Sequence, residues 1–206
     1  MHITLSGAAW EVMYAPYDQA TYQTVLDHLR PDDLLLDIGA GDLRLARQMA
    51  RLVRKVYAVE ISPRVLDQAN ITRDPLPANL LPVCADAQTL DFPSDITAGV
   101  LMMRHCTCFC VYADKQKKAG ASRLTTNARW RMGVEAVDLQ AGRKSYADSE
   151  MGWYACICGA VGFKEGPAEH WSIDMDQITN EVSSCPQCME ISKKYYVILK
   201  EPLGGM

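Results

Sequence analysis

No run of about 18 apolar residues occurs in the 206 residues, and Met1 to Trp10 lack a basic start followed by an apolar stretch. The first absence excludes a membrane-spanning helix and the second a secretory leader, so the expectation is a soluble, cytoplasmic protein that does not engage a membrane. Internal repeats and low-complexity segments are absent too. Neither charge nor polarity is in excess, with 49% hydrophobic and 22% charged residues, which excludes disorder and a fibrous chain. At this length one main domain with a small appendage is expected, and two full domains would be cramped. A net charge of -4 gives no general attraction to nucleic acid.

The charges that are present are unevenly placed. Arg104 to Lys144 holds nine Lys or Arg against three acids, which predicts a basic face, whereas Met151 to Met206 holds four basic residues against seven acids. Eight cysteines in a reducing compartment point to metal ligands or buried thiols rather than disulfides, and spacing must decide between them.

Hydrophobic periodicity gives the order of elements. Tyr22, Val25, Leu26 and Leu29 recur at helical spacing behind the capping acid Asp18, and that helix stops before Pro31. Leu34 to Ile38 reads as a buried parallel strand ending in a glycine turn, followed from about Asp42 by a helix with the apolar stripe Leu45, Met49 and Leu52. Val56 to Glu60 is the second strand, and Pro63 opens a helix through Asn70. Leu80 to Cys84, Thr97 to Met103 and Arg123 to Asn127 complete the strands, with a helix over Cys106 to Ala119. Gly133 to Leu139 is ambiguous, and Tyr195 to Leu199 reads as a closing strand. The alternation predicts an α/β fold, a doubly wound, mostly parallel sheet. The predicted division is a core over 1–150, a four-cysteine insertion over 151–192, and a closing strand and tail over 193–206.

In such a sheet ligands bind beyond the carboxyl ends of the strands, where the chain reverses direction. Gly39 and Gly41 let backbone approach a ligand, and the next helix is expected to offer free N–H groups to an anion. Glu60 ends the second strand about 20 residues further on, where a carboxylate accepts the hydroxyls of a ribose. Asp86 ends the third strand and offers an acceptor for an exocyclic amine such as that of adenine, with the backbone N–H of Ala87 completing the edge. The spacing G-x-G-x-x-G of NAD sites is not met, because Arg44 stands at the third glycine position.

The runs Asp37-Ile38-Gly39-Ala40-Gly41-Asp42-Leu43, Tyr57-Ala58-Val59-Glu60 and Cys84-Ala85-Asp86-Ala87 resemble the class I S-adenosylmethionine-dependent methyltransferases, whose Rossmann-like core the resemblance covers from about Tyr14 to Asn127. The resemblance implies that the loop from Asp37 through Gly39, Ala40 and Gly41 cradles the methionine part of S-adenosyl-L-methionine. It also implies that Glu60, with Ile61 beside it, binds the ribose, that Asp86 and Ala87 face adenine, and that Tyr14 and Tyr17 belong to a segment lying over the cofactor. Leu43 stands where the family often has a further glycine, and this departure supports the alternative of a non-catalytic cofactor-binding protein whose zinc ribbon contacts a protein or nucleic-acid partner.

Methyl transfer from a sulfonium is an in-line displacement, so the protein's task is to align a nucleophile and remove its proton. After the fourth strand, His105 is the candidate general base and Arg104 the candidate for orienting an anionic or carbonyl-bearing acceptor. The family's amino-methylating Asn/Asp-Pro-Pro-aromatic signature is absent. Arg129-Trp130-Arg131 offers a flat group either a stacking surface or an ordinary packed tryptophan. The acceptor is read as an RNA or a small molecule. Cys84 and the alternating Cys106, Cys108 and Cys110 read as buried thiols.

Cys156-Ile157-Cys158-Gly159 and Cys185-Pro186-Gln187-Cys188 are the two short pairs from which a four-thiolate zinc site is assembled. The module resembles a zinc ribbon, although the first pair is spaced C-x-C and leaves a redox disulfide open. Cys156, Cys158, Cys185 and Cys188 leave no open position, so the metal is expected to be structural. His170, between the pairs, reads as a surface or packed histidine.

Overall fold

The structure is a computed structural model that describes residues 17–71, 75–104, 106–129, 133–176 and 178–189. Helix α1 is Gln19–Asp27, and the Asp18 carboxylate caps it by accepting the Thr21 backbone N–H at 2.7 Å. The chain then forms β1 (Leu34–Ile38), α2 (Arg44–Met49), β2 (Lys55–Glu60), α3 (Pro63–Ile71), β3 (Leu80–Cys84), β4 (Ala98–Leu101), α4 (Phe109–Lys118), β5 (Arg123–Thr126) and β6 (Glu135–Asp138). These strands form one sheet in the order β3-β2-β1-β4-β5-β6. All neighbours are parallel except β5 and β6, which are antiparallel. The chain steps outward from β1 to β3 and returns to β4 on the other side of β1, so the switch point lies between β1 and β4. The fold is a doubly wound, Rossmann-like sheet.

Alternate residues of the central strands feed two cores. Leu35, Val56, Ala58, Ala98 and Val100 pack with α1 and α2 on one face. Leu36, Ile38, Val59, Leu101 and Leu124 pack with Phe109, Tyr112 and Ala113 of α4 on the other. Burial on both faces explains why these strands read as continuous apolar runs.

Several expectations are corrected. Cys84 is exposed rather than core, and Leu81 is 38% exposed, because β3 is an edge strand. Leu52 is 48% exposed, since α2 ends at Met49 and the stripe stops there. Strand β4 is shorter than Thr97 to Met103, and α4 begins at Phe109 rather than Cys106. Of the three alternating thiols, Cys110 is exposed while Cys106 and Cys108 are half-buried. The ambiguous Gly133 to Leu139 holds β6. Tyr195 to Leu199 and the tail 193–206 lie outside the described residues.

A second sheet holds β7 (Gly152–Cys156), β8 (Val161–Lys164) and β9 (Thr179–Val182) in the order β8-β7-β9, with β8 antiparallel and β9 parallel to β7. Its own core is Cys156, Val182 and Cys185 with a few half-buried neighbours, too small to hold the unit by burial alone. It docks on the main sheet through Ile157, which packs in its own core and in that of α4. At Gly159, whose φ is +97°, an added Cβ would sit 3.0 Å from the Phe109 Cβ, so glycine is required by conformation and by close approach. Arg129, buried beyond the end of β5, bonds Glu135 of β6 at 2.9 and 3.0 Å and Glu181 of β9 at 3.0 Å. Its guanidinium also stands 5.5 Å from the Phe109 ring centroid.

Candidate functional site

Beyond the carboxyl ends of β1, β2 and β3 the chain leaves a cavity of about 490 Å³. That volume is within the roughly 300–1,000 Å³ usual for small-molecule sites. Asp37, Gly39, Ala40, Gly41, Glu60, Ile61, Asp86, Ala87 and Tyr17 all line it, with Arg104 at its wall. Residues scattered over the first half of the chain are thus brought to one place, at the switch point of the sheet.

The loop after β1 alternates its backbone hand. Gly39, Gly41 and Leu43 have φ of 74°, 58° and 66°, and Leu43 is the one non-glycine with positive φ among the described residues. Gly39 is held against Met103, whose Sδ would lie 2.9 Å from an added Cβ, so a side chain there would push into the cavity wall. Leu43 is 1% exposed in the core beneath α1 and α2. Its left-handed conformation costs about 1–2 kcal/mol, and burying a leucine side chain yields about 1.5–3 kcal/mol, so burial outweighs strain and leucine is tolerated where glycine would be easier.

Several amides of this loop already have acceptors. The N–H groups of Gly39 and Ala40 both donate to the Val59 carbonyl, at 2.9 and 3.0 Å. Gly41 donates to Glu60 Oε2 at 3.1 Å, Leu43 to the Ala40 carbonyl, and Arg44 to Asp42 Oδ1 at 3.3 Å. The amides of Gly39, Ala40, Gly41, Leu43 and Arg44 are therefore engaged within the protein, which narrows the expected offer of free N–H groups to an anion. Glu60 takes a second N–H, from Ser62 at 2.9 Å, and so clamps the loops after β1 and β2 together. Each of its oxygens still has a lone pair for a further donor.

Asp37 is 2% exposed, and its Oδ2 has no partner among the described residues. Burial, reinforced by the charge of Glu60, pushes its carboxyl up to about 7. A cation entering the cavity would favour its ionised form. Asp86 folds its own turn, accepting the Gln88 N–H at 2.8 Å, while the carbonyls of Ala87, Gln88 and Leu90 converge on Lys115 Nζ at 2.8 Å each. Tyr17 donates to the Met102 carbonyl at 3.1 Å, and the Arg104 guanidinium stands 4.8 Å from its ring centroid. His105, Tyr14, Trp130 and Arg131 lie outside the described residues.

Lining residues that the sequence did not single out include Tyr22, Gln88 and Tyr112. Tyr22 reads equally well as ordinary helix core, and burial with the nearby Asp42 charge pushes its hydroxyl up to about 12. Tyr112 lies three residues after Phe109 on α4, a spacing that gives no sign of which end of the sheet it faces.

The expected basic face is only partly open, because several of its cations have internal partners. Arg123 pairs with buried Asp33, Arg129 with Glu135 and Glu181, and Arg143 with Glu181 and the Asp138 carbonyl. Lys118 pairs with Asp114, and Lys115 is turned into the loop after β3. Lys115, Arg123, Arg129 and Arg143 thus serve as internal braces, whereas Arg104, Lys117, Lys118 and Lys144 are exposed, so the positive excess is divided between bracing and surface.

The second candidate site is the thiol cluster. Cys156, Cys158, Cys185 and Cys188 bring their sulfurs within 4.8 Å of one another, whereas His170 is exposed and apart. The separations are 4.0 Å for Cys156 to Cys188, 3.6 Å for Cys158 to Cys185 and 3.7 Å for Cys185 to Cys188. Zinc–sulfur bonds of about 2.3 Å in a tetrahedron set the sulfurs about 3.8 Å apart, so the four fit a zinc ion. All are free thiols. Burial raises Cys156 and Cys158, the latter to about 11. Burial also acts on Cys188, but hydrogen bonds from Cys185 outweigh it and leave that thiol lowered. The Cys185 N–H donates to the Cys188 sulfur at 3.1 Å, the amide-to-sulfur contact that supports a thiolate.

Comparison with known proteins bears on the cavity. Residues 35–127 match the methyltransferase domain family. That segment runs from β1 to just past β5 and carries the cavity's loops. A curated relative is the probable ribosomal RNA small subunit methyltransferase A of Methanosarcina acetivorans, 36% identical over 69 residues. The aligned segment is 34% of this chain, and this chain spans only 25% of that relative's length. Among solved structures, the 23S rRNA methyltransferase ErmE is 26% identical with a TM-score of 0.47, covering 53% of this chain and 46% of that one. A SAM-dependent methyltransferase from Aquifex aeolicus is 16% identical with a TM-score of 0.43, covering 51% of this chain and 62% of that one.

Proposed function

We propose that the chain is an S-adenosylmethionine-dependent methyltransferase acting on an RNA or a small-molecule acceptor, with a structural zinc ion in its four-cysteine module. One observation carries the reading: within the segment that matches a methyltransferase domain, the Asp37 to Gly41 loop, Glu60 and Asp86 converge on a single cavity at the switch point. The corresponding division is a cofactor-binding core over 1–150, the cysteine module over 151–192 and a tail over 193–206.

When bound, S-adenosylmethionine supplies a methyl group activated on a sulfonium. Asp37 meets the ammonium of the methionine part, which gives its orphan oxygen a donor and its charge a partner. Glu60 uses its remaining lone pairs on the ribose hydroxyls, beside Ile61, while Asp86 and Ala87 face adenine. Gly39, Ala40 and Gly41 provide a surface without bulk, and Tyr17 with Arg104 forms the wall nearest β4. Arg104 orients the acceptor and His105 takes its proton. The RNA arm draws support from the curated relative named for ribosomal RNA, and the internal pairing of the basic stretch weighs toward a small acceptor.

The test is transfer of a tritiated methyl group from S-adenosylmethionine to total RNA and, separately, to a small-molecule extract. Label in either pool, lost in Glu60→Gln, supports the reading. A protein that binds the demethylated cofactor yet labels neither pool is the non-catalytic binder instead.

A further inference from the structure

One feature of the cysteine module is used by neither the thiol cluster nor the docking contacts. Side chains alternate along β7, and Tyr154 and Cys156 belong to the thiol core, so Trp153 points to the opposite face of the small sheet. There Trp153 stands across from Phe163 of β8, their rings 5.4 Å apart and nearly perpendicular at 84°. Phe163 in turn meets Trp171 at 5.4 Å. Trp171 is 62% exposed, and Trp153 and Phe163 are half-buried, so three aromatic rings form an unusual open cluster on a unit with hardly any core of its own.

The segment that carries this cluster is mostly acidic in its charges. Glu165, Glu169 and Asp174 flank Trp171 in the chain, and all three are exposed. From Gly152 to Met189 the only Lys or Arg is Lys164. Its ammonium donates to the carbonyls of Tyr146 and Ala147 at 2.8 and 2.9 Å, and stands 5.2 Å from the Tyr146 ring centroid. That cation is therefore engaged by residues of the preceding loop. Open π-faces beside carboxylates attract a cation with an apolar stem and repel phosphate, which disfavours a nucleic acid here.

We propose that the Trp153, Phe163 and Trp171 face docks a Lys- or Arg-bearing segment of a protein partner, the cation stacking on Trp171 with Glu169 and Asp174 completing the site. The proposal is independent of the methyl-transfer reading. Its test uses the full-length, metal-loaded protein and the fluorescence anisotropy of a labelled peptide of alternating Arg and Gly. Saturable binding that weakens with salt is expected, falling about tenfold in Trp171→Ala and similarly in the double variant Glu169→Lys with Asp174→Lys. Trp171, Glu169 and Asp174 are exposed, and unchanged metal content and circular dichroism verify the fold. No saturable binding, or equal binding by both variants, overturns the proposal. So does a labelled oligonucleotide that binds more tightly and is lost in Trp171→Ala, or a gain of peptide affinity in Lys193→Glu with Lys194→Glu, which would make the chain's own lysines the occupant.

Discussion

The two candidate sites are built on opposite principles. The cavity beyond β1 to β3 is held by a deep two-sided core, and its polar groups are clamped by backbone: Glu60 ties two loops through Gly41 and Ser62, and Lys115 gathers three carbonyls. The cysteine module has a core of a few residues, four thiols at metal-binding separations, and a buried arginine linking it to the main sheet. The first site should survive without its ligand, whereas the second is expected to need a metal that its thiolates fit.

The largest expected effect breaks this contrast most directly. A structural zinc site contributes about 10 kcal/mol or more to folding in small metal-dependent units. Chelation, or Cys158→Ser, should therefore unfold the module while the six-stranded sheet persists. Near-ultraviolet circular dichroism from Trp153 and Trp171 should vanish while the far-ultraviolet helix signal remains, and metal analysis should show about one zinc per chain lost. A single cooperative loss of both signals would mean that the sheet depends on the metal too.

Next in size is the strut between the regions. Arg129→Met removes the guanidinium between Glu135 and Glu181 and leaves two crowded carboxylates, a class of change that costs about 3–5 kcal/mol. Denaturant unfolding should show it. A loss below about 1 kcal/mol would make the contact a surface pair in effect.

Smaller still is the strained leucine. Stability should fall in the order Leu43, Leu43→Gly, Leu43→Ala, because glycine loses burial but relieves strain, whereas alanine loses burial and keeps it. The gap between the two variants should be about 1 kcal/mol. Leu43→Gly more stable than the natural chain would show that strain, not burial, dominates there.

The remaining effect is a pH dependence. Because the folded carboxyl of Asp37 lies near 7, above its unfolded value, its contribution to stability is full below about pH 4 and is lost as the pH rises through 7. Asp37→Asn should flatten that slope in the unliganded protein. The affinity for the demethylated cofactor should rise between pH 6 and 8 as Asp37 ionises opposite the ammonium, and the variant should bind about tenfold more weakly with no such rise.

Much of this was legible in the sequence. The parallel strands declared themselves as continuous apolar runs, and the lining residues expected from Asp37 to Ala87 meet in one cavity because strand ends in a doubly wound sheet must converge there. Edge position was not legible: the Leu80 to Cys84 run reads as buried, yet among the described residues β3 has a neighbour on one side alone. The basic stretch misled for a related reason, since charge counts along a chain carry no information about partners such as Asp33 and Glu181, which lie far away in sequence. Nor does an amide's spacing reveal its partner, so the occupied N–H groups of Gly39, Ala40, Gly41, Leu43 and Arg44 appear first in the hydrogen bonds.

We propose that the cavity beyond β1 to β3 binds an adenosyl sulfonium cofactor. Isothermal titration of the full-length protein with S-adenosylhomocysteine at pH 7.5 tests it most directly. The account predicts one site per chain, weakened about tenfold or more when Glu60→Gln removes the charge that anchors the ribose. Absence of binding by a folded, metal-loaded protein, or binding indifferent to both Glu60→Gln and Asp37→Asn, would contradict it.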